Sequence, residues 1–499
     1  MEFTIHTQET VKQLNNFWSH IHFHPTDAIE DDWGRRILDQ VAEDQVAETV
    51  RMYAMLEDIV SLAADGSLQY DFTLADTRLD YMISKGFRIL LSYNFTPPCI
   101  AVDPQESSAH AKNKTRYKGK MIVTSPPRDY GLWEEICRAF TAHVVARYGA
   151  ERVSNWYLQC FNEPDLPSFF FRTEADQILR AREYYKLYQG FEKGILSVCP
   201  ELTIGGPALA GNYSFMEEFL RLIREGGNRL DYICVHTYGA DPLHIDSGEK
   251  PLNIRNSLGK IRHLQKMAAD YGFGHLPFII DEWGAASRGF NNMKQVPSLV
   301  FRESEVFSAY YARMFSLYEE LELGIEKMMI CLSGQHEMES DFTGFRGFFT
   351  LNGFPKPIYN GYRLAAKLGS RKLACSCPYM GETYALLPTA GEDGRIAALY
   401  TYAQDTLVPL EAEEVTVRLQ GAAGEYEARL WQVDGETANG YRAFEKLGSP
   451  EELTREQIGW LAEKAKCKPL SLGRVKPGEA IRFTARSNSV NLMEWIPVK

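Results

Sequence analysis

The sequence lacks the cysteine pairs, long apolar runs and long basic runs that mark several classes of protein. Its nine cysteines include no C-x-x-C pair, which argues against a disulfide framework and against a zinc site with close cysteine spacing. It has no stretch of about 18 apolar residues, and its first residues, MEFTIHTQETVKQ, have neither the basic nor the apolar part of a signal peptide. We therefore expect a soluble, cytoplasmic protein with reduced thiols and no membrane partner.

Charge and composition exclude further classes. The 66 acidic residues outnumber the 54 basic ones, which gives a net charge of −12, and no basic run could follow a phosphate backbone. Nucleic acid is therefore not an expected partner. With 45% hydrophobic and 12% aromatic residues, the 499-residue chain can bury sizeable cores, which predicts a folded protein with one large domain and one or two smaller ones.

Residues 17–369 alternate between apolar runs of strand length and segments of helical periodicity, such as Leu132–Tyr148 and Phe301–Leu323. Near-continuous apolar strands that each precede a helix are typical of a parallel sheet, and eight such units favour a closed (β/α)8 TIM barrel of the α/β class. An open doubly wound sheet is the alternative, but no G-x-G-x-x-G follows the first strand. The eight predicted strands are Phe17–Phe23, Val50–Leu56, Phe87–Phe95, Val153–Glu163, Leu202–Leu209, Tyr232–Tyr238, Pro277–Trp283 and Lys327–Ser333.

Residues 370–499 have a different hydrophobic pattern, in which short apolar runs are separated by turn residues. This pattern predicts an accessory C-terminal β-sandwich domain. Within it, residues 449–466 have the pattern of a helical insert, for which Ser449 is the predicted N-cap. Residues 1–16 contain an alternating segment, Glu2–Thr7, which we expect to add a strand to the accessory sheet.

Two glutamates end predicted barrel strands, where TIM barrels carry their functional residues. Glu163 ends the fourth strand and Glu282 ends the seventh, and both follow apolar runs in which an unpaired charge would be costly. A lone glutamate at such a place could simply cap a helix or pair with a neighbour. Two carboxylates that converge across a barrel mouth instead suit acid/base catalysis combined with nucleophilic attack at an acetal carbon.

The surrounding motifs add a family resemblance. The segment N-W-Y-L-Q-C-F-N-E-P-D-L at residues 155–166 resembles the W-Y-x-x-x-W-N-E-P-D-L acid/base segment of glycoside hydrolase family 39. That family belongs to a clan of retaining (β/α)8 glycosidases and contains β-xylosidases and α-L-iduronidases. The resemblance covers about residues 17–369 and includes Arg51-Met52, Lys85-Gly86-Phe87, His236-Thr237-Tyr238, Asp281-Glu282-Trp283 and Gly353-Phe354-Pro355-Lys356-Pro357.

The resemblance implies a role for each matching residue. Glu163 would be the general acid/base and Glu282 the nucleophile of a β-xylosidase-like, retaining exo-glycosidase that acts on a glycoside or an oligosaccharide. Asn162 would hold the sugar 2-hydroxyl, and Arg51 and Tyr238 would be partners of the nucleophile. No metal or organic cofactor is implied, and a homo-oligomer is possible. The further residues expected to bind substrate are Tyr53, His24, His236, Trp283 and Phe161.

The chain also departs from the family pattern. Family members typically have Arg-x-His-Gly on the second strand, where this chain has Arg51-Met52-Tyr53-Ala54, so a phenol replaces a sugar-contacting histidine. Phe161 replaces the tryptophan before Asn-Glu-Pro. The eighth strand usually brings a tryptophan beneath the sugar, whereas residues 328–332 contain no aromatic residue. The motifs therefore favour the reaction class more strongly than any particular sugar.

Other interpretations stay open at this point. His22 and His24 form a His-x-His pair at the end of the first strand, and with His236 they could hold zinc in an amidohydrolase-like enzyme. A barrel that binds sugar without hydrolysing it is a third possibility, because fold does not imply function. The specificity could also be that of an arabinosidase, galactosidase, glucosidase or uronidase.

The loops after the strands offer further candidates. The cluster Phe169-Phe170-Phe171 could stack on sugar or fill a hydrophobic gap. We expect solvated or ion-paired side chains at Arg172, His336, Glu337 and Asp341.

Overall fold

A computed structural model describes residues 1–24, 29–108, 122–240, 254–289, 291–333, 338–405 and 408–498. Within these residues, eight parallel strands close a barrel in which each strand pairs with the next along the chain and the eighth pairs with the first. The predicted (β/α)8 barrel is thereby confirmed. Its strands, numbered one to eight in chain order, are His20–Phe23, Thr49–Tyr53, Arg88–Tyr93, Tyr157–Cys160, Thr203–Leu209, Tyr232–Ala240, Phe278–Ala286 and Ile325–Leu332.

Helices surround the barrel, and short polar side chains begin several of them. Asp176, for example, accepts hydrogen bonds from the N–H groups of Ile178 and Leu179, which the helix itself leaves without partners. None of the helices in the described ranges is both long and apolar enough to cross a membrane. The outer helices are Asp32–Glu43, Thr73–Ser84, Tyr130–Tyr148, Gln177–Leu196, Tyr213–Gly226, Ile254–Asp270, Glu305–Glu320 and Pro357–Ala365; shorter helices are Leu56–Ile59, Pro98–Ile100, Ala150–Val153 and Pro297–Glu303.

The seventh strand contains a bulge that matters for the site. Val235 pairs with Ile280, but the next residue of the sixth strand, His236, pairs with Glu282, so Asp281 is an extra residue in the ladder. A bulge interrupts the strict alternation of side chains between the two faces of a strand. Asp281 and Glu282 can therefore both reach residues inside the barrel although they are neighbours in sequence.

The accessory β domain is also confirmed, and its strands form one hydrogen-bonded sheet. The strand Glu2–Gln13 lies inside this sheet, antiparallel to Arg371–Cys375 on one side and parallel to Glu413–Gln420 on the other. The remaining strands are Tyr384–Ala390, Ile396–Tyr402, Tyr426–Val433, Leu470–Val475, Ala480–Ala485 and Ser489–Pro497. Two small hairpins, Val60–Leu62 with Leu68–Tyr70 and Ser107–Ser108 with Ile122–Val123, decorate the barrel.

The accessory sheet buries both of its faces. Leu386, Ala398 and Met493 belong to a core of the sheet itself. Their immediate neighbours Leu387, Leu399 and Leu492 point to the opposite face and belong to the core of the barrel. Continuous apolar strands are the expected result when both faces are buried, and this contact joins the sheet to the barrel through the helices Glu305–Glu320 and Pro357–Ala365.

The helical insert differs from the prediction. It consists of two helices, Gly440–Lys446 and Arg455–Ala465, joined by a turn. Ser449 does not cap a helix, because it lies in that turn with a left-handed backbone (φ 51°). Thr454 is the cap instead: its hydroxyl accepts from the Gln457 N–H, and the Gln457 side chain binds the Thr454 N–H in return.

Candidate active site

Glu282 lies at the centre of the site, with donors on several sides. The Arg51 guanidinium donates to its Oε1 over 2.8 Å, and the Tyr238 hydroxyl donates to its Oε2 over 2.9 Å. His22 Nδ1 lies 3.2 Å from Oε1. These contacts come from the second, sixth and first strands respectively, so the closed barrel itself brings them together.

The charges around Glu282 decide its protonation state. Burial alone would raise the pKa of this carboxyl group, because the charged form loses its hydration. The positive charges of His236 and Arg51, together with the hydrogen bond to His22, outweigh burial and hold the pKa of Glu282 well below its ordinary value. Glu282 is therefore a carboxylate near neutral pH.

Arg51 is fully buried, and its guanidinium contacts several polar side chains of the barrel interior. Its Nη2 donates to Asn162 Oδ1 over 2.6 Å, and its Nε lies 3.0 Å from Gln159 Oε1 and 3.1 Å from Asp281 Oδ2, in addition to the contact with Glu282. A guanidinium offers five N–H groups in one rigid plane, which suits an interior position with several acceptors. Arg51 therefore fixes Asn162 and Glu282 relative to each other.

Glu163 lies at the end of the fourth strand in a different environment. Its Oε1 is 2.7 Å from His236 Nδ1, and its backbone has φ 45°, in the left-handed region. Burial raises the pKa of Glu163, and the negative charge of Glu282 acts in the same direction, whereas His236 acts against both. The net shift is upward, so Glu163 holds a proton to higher pH than an ordinary glutamate does.

His236 links the two sides of the site. Besides Glu163, it contacts Asp281 through Nε2 at 3.3 Å, and its Nδ1 is 3.7 Å from Glu282 Oε2. Burial would lower the pKa of this imidazole, but the carboxylates of Glu282, Asp281 and Glu163 raise it to about 10. His236 is therefore a buried cation at neutral pH, compensated by three acidic neighbours.

The two glutamates are close to each other. One carboxylate oxygen of Glu163, one of Glu282 and a ring nitrogen of His236 all lie within 4.8 Å of one another. The structure thus brings together six of the residues expected from the sequence, namely Glu163, Glu282, Asn162, Arg51, His236 and Tyr238.

Two further expected residues, Tyr53 and His24, stand beside this cluster. The Tyr53 ring lies 5.3 Å from the His22 ring and 5.5 Å from the His24 ring, measured between centroids. The Tyr53 hydroxyl is buried and has no hydrogen-bond partner within the described ranges, whereas His24 is partly exposed. Burial lowers the pKa of His24 to about 3, so this histidine is neutral at neutral pH.

Trp283 and Phe161, the last two residues of the expected substrate-binding set, both lie in the hydrophobic core. Trp283 is fully buried, stacks on Tyr311 at 5.5 Å and donates to the Tyr362 hydroxyl over 3.2 Å, so it faces the outer helices. It follows Glu282 on the strand, and alternation therefore turns it away from the barrel interior. Phe161 is also fully buried and packs against Phe170, within the hydrophobic core.

The loop residues fall into ordinary structural roles. Phe170 is fully buried and Phe169 stacks on Phe95 at 5.8 Å, which makes the phenylalanine cluster part of the core rather than an exposed platform. Asp341 accepts from the backbone N–H of Asn352, and Arg172 donates to a backbone carbonyl. His336 and Glu337 lie outside the described residues.

The three histidines of the zinc hypothesis do not form a single metal-ligating group in the described part of the chain. Among the described residues, the metal-ligating side chains that approach one another within 4.8 Å form two groups, His22 with Glu282 and Cys331, and His236 with the two glutamates. His22 and His236 belong to different groups, and His24 belongs to neither. The arrangement of these side chains therefore does not match the ligand set that we expected for an amidohydrolase-like enzyme.

Three residues of the site were not predicted from the sequence. Asp281 and Gln159 complete the buried network around Arg51, with Gln159 Nε2 donating to Asp281 Oδ2 over 2.8 Å. Arg346 donates to the Tyr238 hydroxyl over 2.9 Å from the loop that follows the eighth strand. Asp281 adjoins Glu282 in a charged pair within an apolar run, which was a usable signal, whereas nothing in the sequence around Arg346 points to the site.

The sequence of this chain is similar to those of known glycosidases. The profile of Glycosyl hydrolases family 39 matches residues 1–475. A β-xylosidase of Caldicellulosiruptor saccharolyticus is 25% identical over 492 residues, which cover 96% of this chain and 95% of that protein. The human α-L-iduronidase is 25% identical over 209 residues, 38% of this chain and 27% of that protein.

A solved structure supports the fold independently. The crystal structure of a monomeric β-xylosidase from Caulobacter crescentus CB15 superposes with a TM-score of 0.83 at 22% identity, covering the whole of both chains. At this level of identity the superposition establishes the fold alone. The family profile, however, spans nearly the whole sequence and includes every strand of the barrel. This chain is therefore a glycoside hydrolase that belongs to glycosyl hydrolase family 39.

Proposed function

We propose that this protein is a retaining exo-glycosidase, β-xylosidase-like in specificity, with Glu282 as the nucleophile and Glu163 as the general acid/base. The observation that carries the proposal is the contrast between two glutamates a few ångströms apart. Glu282 is held ionised by Arg51, His22 and His236, whereas burial and the charge of Glu282 raise the pKa of Glu163. One environment suits a nucleophile and the other suits an acid.

The first step of the proposed reaction forms a covalent intermediate. A carboxylate oxygen of Glu282 attacks the anomeric carbon, the glycosidic bond breaks, and the leaving oxygen takes the proton of Glu163. Asn162, held by Arg51, can bind the sugar 2-hydroxyl, whose hydrogen bond strengthens in the transition state. The step consumes the proton on Glu163 and the negative charge on Glu282.

The second step reverses these roles. Once Glu282 is an ester, its negative charge no longer raises the pKa of Glu163, so Glu163 becomes a better base. Glu163 takes a proton from water, the oxygen of that water attacks the anomeric carbon, and the bond to Glu282 breaks. The enzyme returns to its starting state, and the sugar is released with its original anomeric configuration.

The spacing of the carboxylates supports retention over inversion. An inverting pair leaves room for a water, with the two groups about 6.5 to 9.5 Å apart, whereas retaining pairs lie about 5 to 5.5 Å apart. Carboxylate oxygens of Glu163 and Glu282 within 4.8 Å of each other agree with the shorter class. NMR of the anomer formed first should therefore show retained configuration, and an inverted product contradicts the mechanism.

Variants of the two glutamates test the assignment. We expect Glu282→Ala to abolish turnover, whereas Glu163→Ala should still be glycosylated by substrates with good leaving groups and should be rescued by azide. A matched control is Glu225→Ala, because Glu225 is exposed on an outer helix, and it should keep full activity. A glycosyl azide of retained configuration from the Glu282 variant, with the opposite anomer from the Glu163 variant, reverses the assignment.

The substrate preference is tested by a panel. The similarity to the Caldicellulosiruptor saccharolyticus β-xylosidase covers 96% of this chain, whereas the similarity to the human α-L-iduronidase covers 38% of it, which favours a terminal xylosyl group. The panel contains aryl β-xylosides, β-glucosides, β-galactosides, α-L-arabinosides and α-L-iduronides. Exclusive hydrolysis of a uronide overturns the proposed specificity, and binding without hydrolysis of any member supports a sugar-binding barrel instead.

A further inference from the structure

Arg346 contacts Tyr238, which in turn contacts the proposed nucleophile, Glu282. Its Nη1 donates to the Tyr238 hydroxyl over 2.9 Å, and its guanidinium carbon lies 4.5 Å from the centre of the Tyr238 ring. The Tyr238 hydroxyl in turn donates to Glu282 Oε2 over 2.9 Å. The three side chains therefore form a short hydrogen-bonded chain that ends on the nucleophile.

The chemistry of these groups fixes the direction of the chain. A guanidinium has only N–H donors, and an ionised carboxylate has only acceptors. A phenol has a single proton, so with Arg346 donating to its oxygen, the O–H of Tyr238 points at Glu282. Without Arg346, the hydroxyl could rotate toward another acceptor or toward water.

We propose that Arg346 is a positioning residue for the glycosidase reaction, one that keeps the Tyr238 proton on Glu282 and adds positive charge beside the nucleophile. The inference rests on the proposed function, because it assumes that Glu282 is the nucleophile. The loop after the eighth strand thus contributes a positioning residue that the sequence pattern did not indicate. No contact between Arg346 and the substrate is required.

The backbone before Arg346 is rigidly held. Buried Glu303 accepts from the Gly344 N–H and from Lys356 Nζ, both over 2.6 Å, and Lys356 also donates to the Phe345 carbonyl. Arg302 donates to the Gly344 carbonyl over 3.1 Å. Charge-assisted hydrogen bonds away from water hold this segment, so the guanidinium of Arg346 starts from a fixed position.

Gly289 leaves room for the guanidinium. A Cβ atom added at Gly289 would lie 2.9 Å from Arg346 Nη1 and 3.0 Å from its Cζ. A methyl group at this position must displace the end of the Arg346 side chain, because atoms do not approach that closely. Gly289→Ala therefore offers a way to move the guanidinium without changing Arg346 itself.

Removal of the Arg346 charge should also affect titration of the nucleophile. Two successive hydrogen bonds of 2.9 Å link the guanidinium to Glu282, and the attraction between these two opposite charges favours the ionised form of the carboxyl group. Loss of the cation moves the acidic limb of the kcat/KM profile upward, because Glu282 must be ionised to attack. The other charged or titratable groups that interact with Glu282 are Arg51, His22, His24, His236, Glu163, Tyr53, Tyr238 and Cys331.

The test compares Arg346→Met, Arg346→Lys and Gly289→Ala, assayed from pH 4 to pH 9 with an aryl glycoside that the wild type hydrolyses. We expect Arg346→Met to lower kcat at least about tenfold with little change in KM and to move the acidic limb up by about one unit. Arg346→Lys should restore the position of the limb, and Gly289→Ala should resemble Arg346→Met in weaker form. The double variant Arg346→Met/Tyr238→Phe should lose less than the product of the two single losses.

Several results overturn the inference. These are an unchanged acidic limb in Arg346→Met, a loss confined to KM, or independent, multiplying losses in the double variant. Labelling with a 2-fluoro glycoside separates this outcome from failure of the proposed function. A wild type that is labelled on Glu282 while Arg346→Met keeps its profile contradicts only the inference, whereas a wild type labelled elsewhere contradicts the proposed function.

Discussion

Replacing Arg51 by methionine should destabilise the protein in a way that depends strongly on pH. Methionine keeps much of the arginine stem but removes the guanidinium that binds Asp281 and Glu282 in the barrel interior. The variant leaves both carboxylates buried, with His236 as the cation that still contacts the two of them. Removing one partner of a buried ion pair costs about 3 to 5 kcal/mol.

The expected shift in the unfolding midpoint follows from that energy. Unfolding entropy is about 2.1 cal/mol/K per residue, so for a barrel domain of about 350 residues the loss corresponds to roughly 4 to 7 °C at pH 7. Arg88→Met is a matched control, because Arg88 also belongs to a barrel strand but is 58% exposed in its pair with Glu48. An exposed pair contributes about 0 to 1 kcal/mol, so the control should shift the midpoint by roughly 1.5 °C or less.

The sign of the pH dependence is fixed by the carboxylates. Asp281 and Glu282 both have a lowered pKa in the folded protein, so the stability they contribute is present above the ordinary carboxyl pKa and is lost as the pH falls through the folded value. In Arg51→Met the two carboxyl groups take up protons at higher pH, which relieves the unpaired charge. The difference between wild type and variant should therefore be largest near pH 7 and shrink toward pH 4.

Scanning calorimetry at pH 7, 6, 5 and 4 measures this directly. Midpoints of wild type, Arg51→Met and Arg88→Met are compared at each pH. An Arg51→Met midpoint equal to that of the wild type at pH 7, or a difference that stays constant down to pH 4, refutes the reasoning that the guanidinium stabilises buried carboxylates.

Three further predictions follow from the site and its support. His236→Gln removes a cation that lowers the pKa of both Glu163 and Glu282, so both limbs of the kcat/KM profile should move to higher pH; limbs that stay in place contradict the assignment of charge to His236. Lys356→Met leaves Glu303 buried without its cation and should cost about 3 to 5 kcal/mol in thermal unfolding, and a second change, Glu303→Gln, should recover part of that loss. Exhaustive chelation should leave turnover unchanged, whereas activity that vanishes and returns with zinc favours the metal-dependent alternative.

The barrel could be predicted from the sequence because its strands are buried on both faces. Apolar runs such as Phe278–Ile280 are visible without knowledge of their partners, and the helix that follows each run identifies a parallel sheet. The second strand ends at Tyr53, earlier than predicted, because Met55 has a left-handed backbone and a helix begins at Leu56. Local geometry of this kind depends on tertiary contacts that a periodicity does not encode.

The sequence predicted the site residues that lie at the ends of apolar strands. It did not predict those whose positions depend on the register between strands or on the path of a loop. Glu163 and Glu282 follow apolar runs, so their convergence could be expected. The bulge at Asp281, which turns two neighbouring residues toward the same interior, is a property of pairing between strands. Arg346 contacts Tyr238 across a sequence separation of 108 residues, and no periodic pattern in the sequence predicts this contact.

Other expectations stay predictions. The domain limits at residues 16 and 369, the cytoplasmic location and a homo-oligomer rest on the sequence alone. The roles of Tyr53 and His24 in binding sugar likewise rest on the family resemblance and on their position beside His22.

The strand Glu2–Gln13 has a consequence for how the molecule is made. It pairs with Arg371–Cys375 and with Glu413–Gln420, so its first partner leaves the ribosome about 370 residues after it does. At a synthesis rate of about 5 to 20 residues per second, the strand has no pairing partner for roughly 20 to 75 s. Its many polar and charged residues suit that interval, because an apolar strand with free edges would invite pairing with other nascent chains. The barrel can close during this time, whereas the accessory sheet is completed only after its strand Ser489–Pro497 has been made.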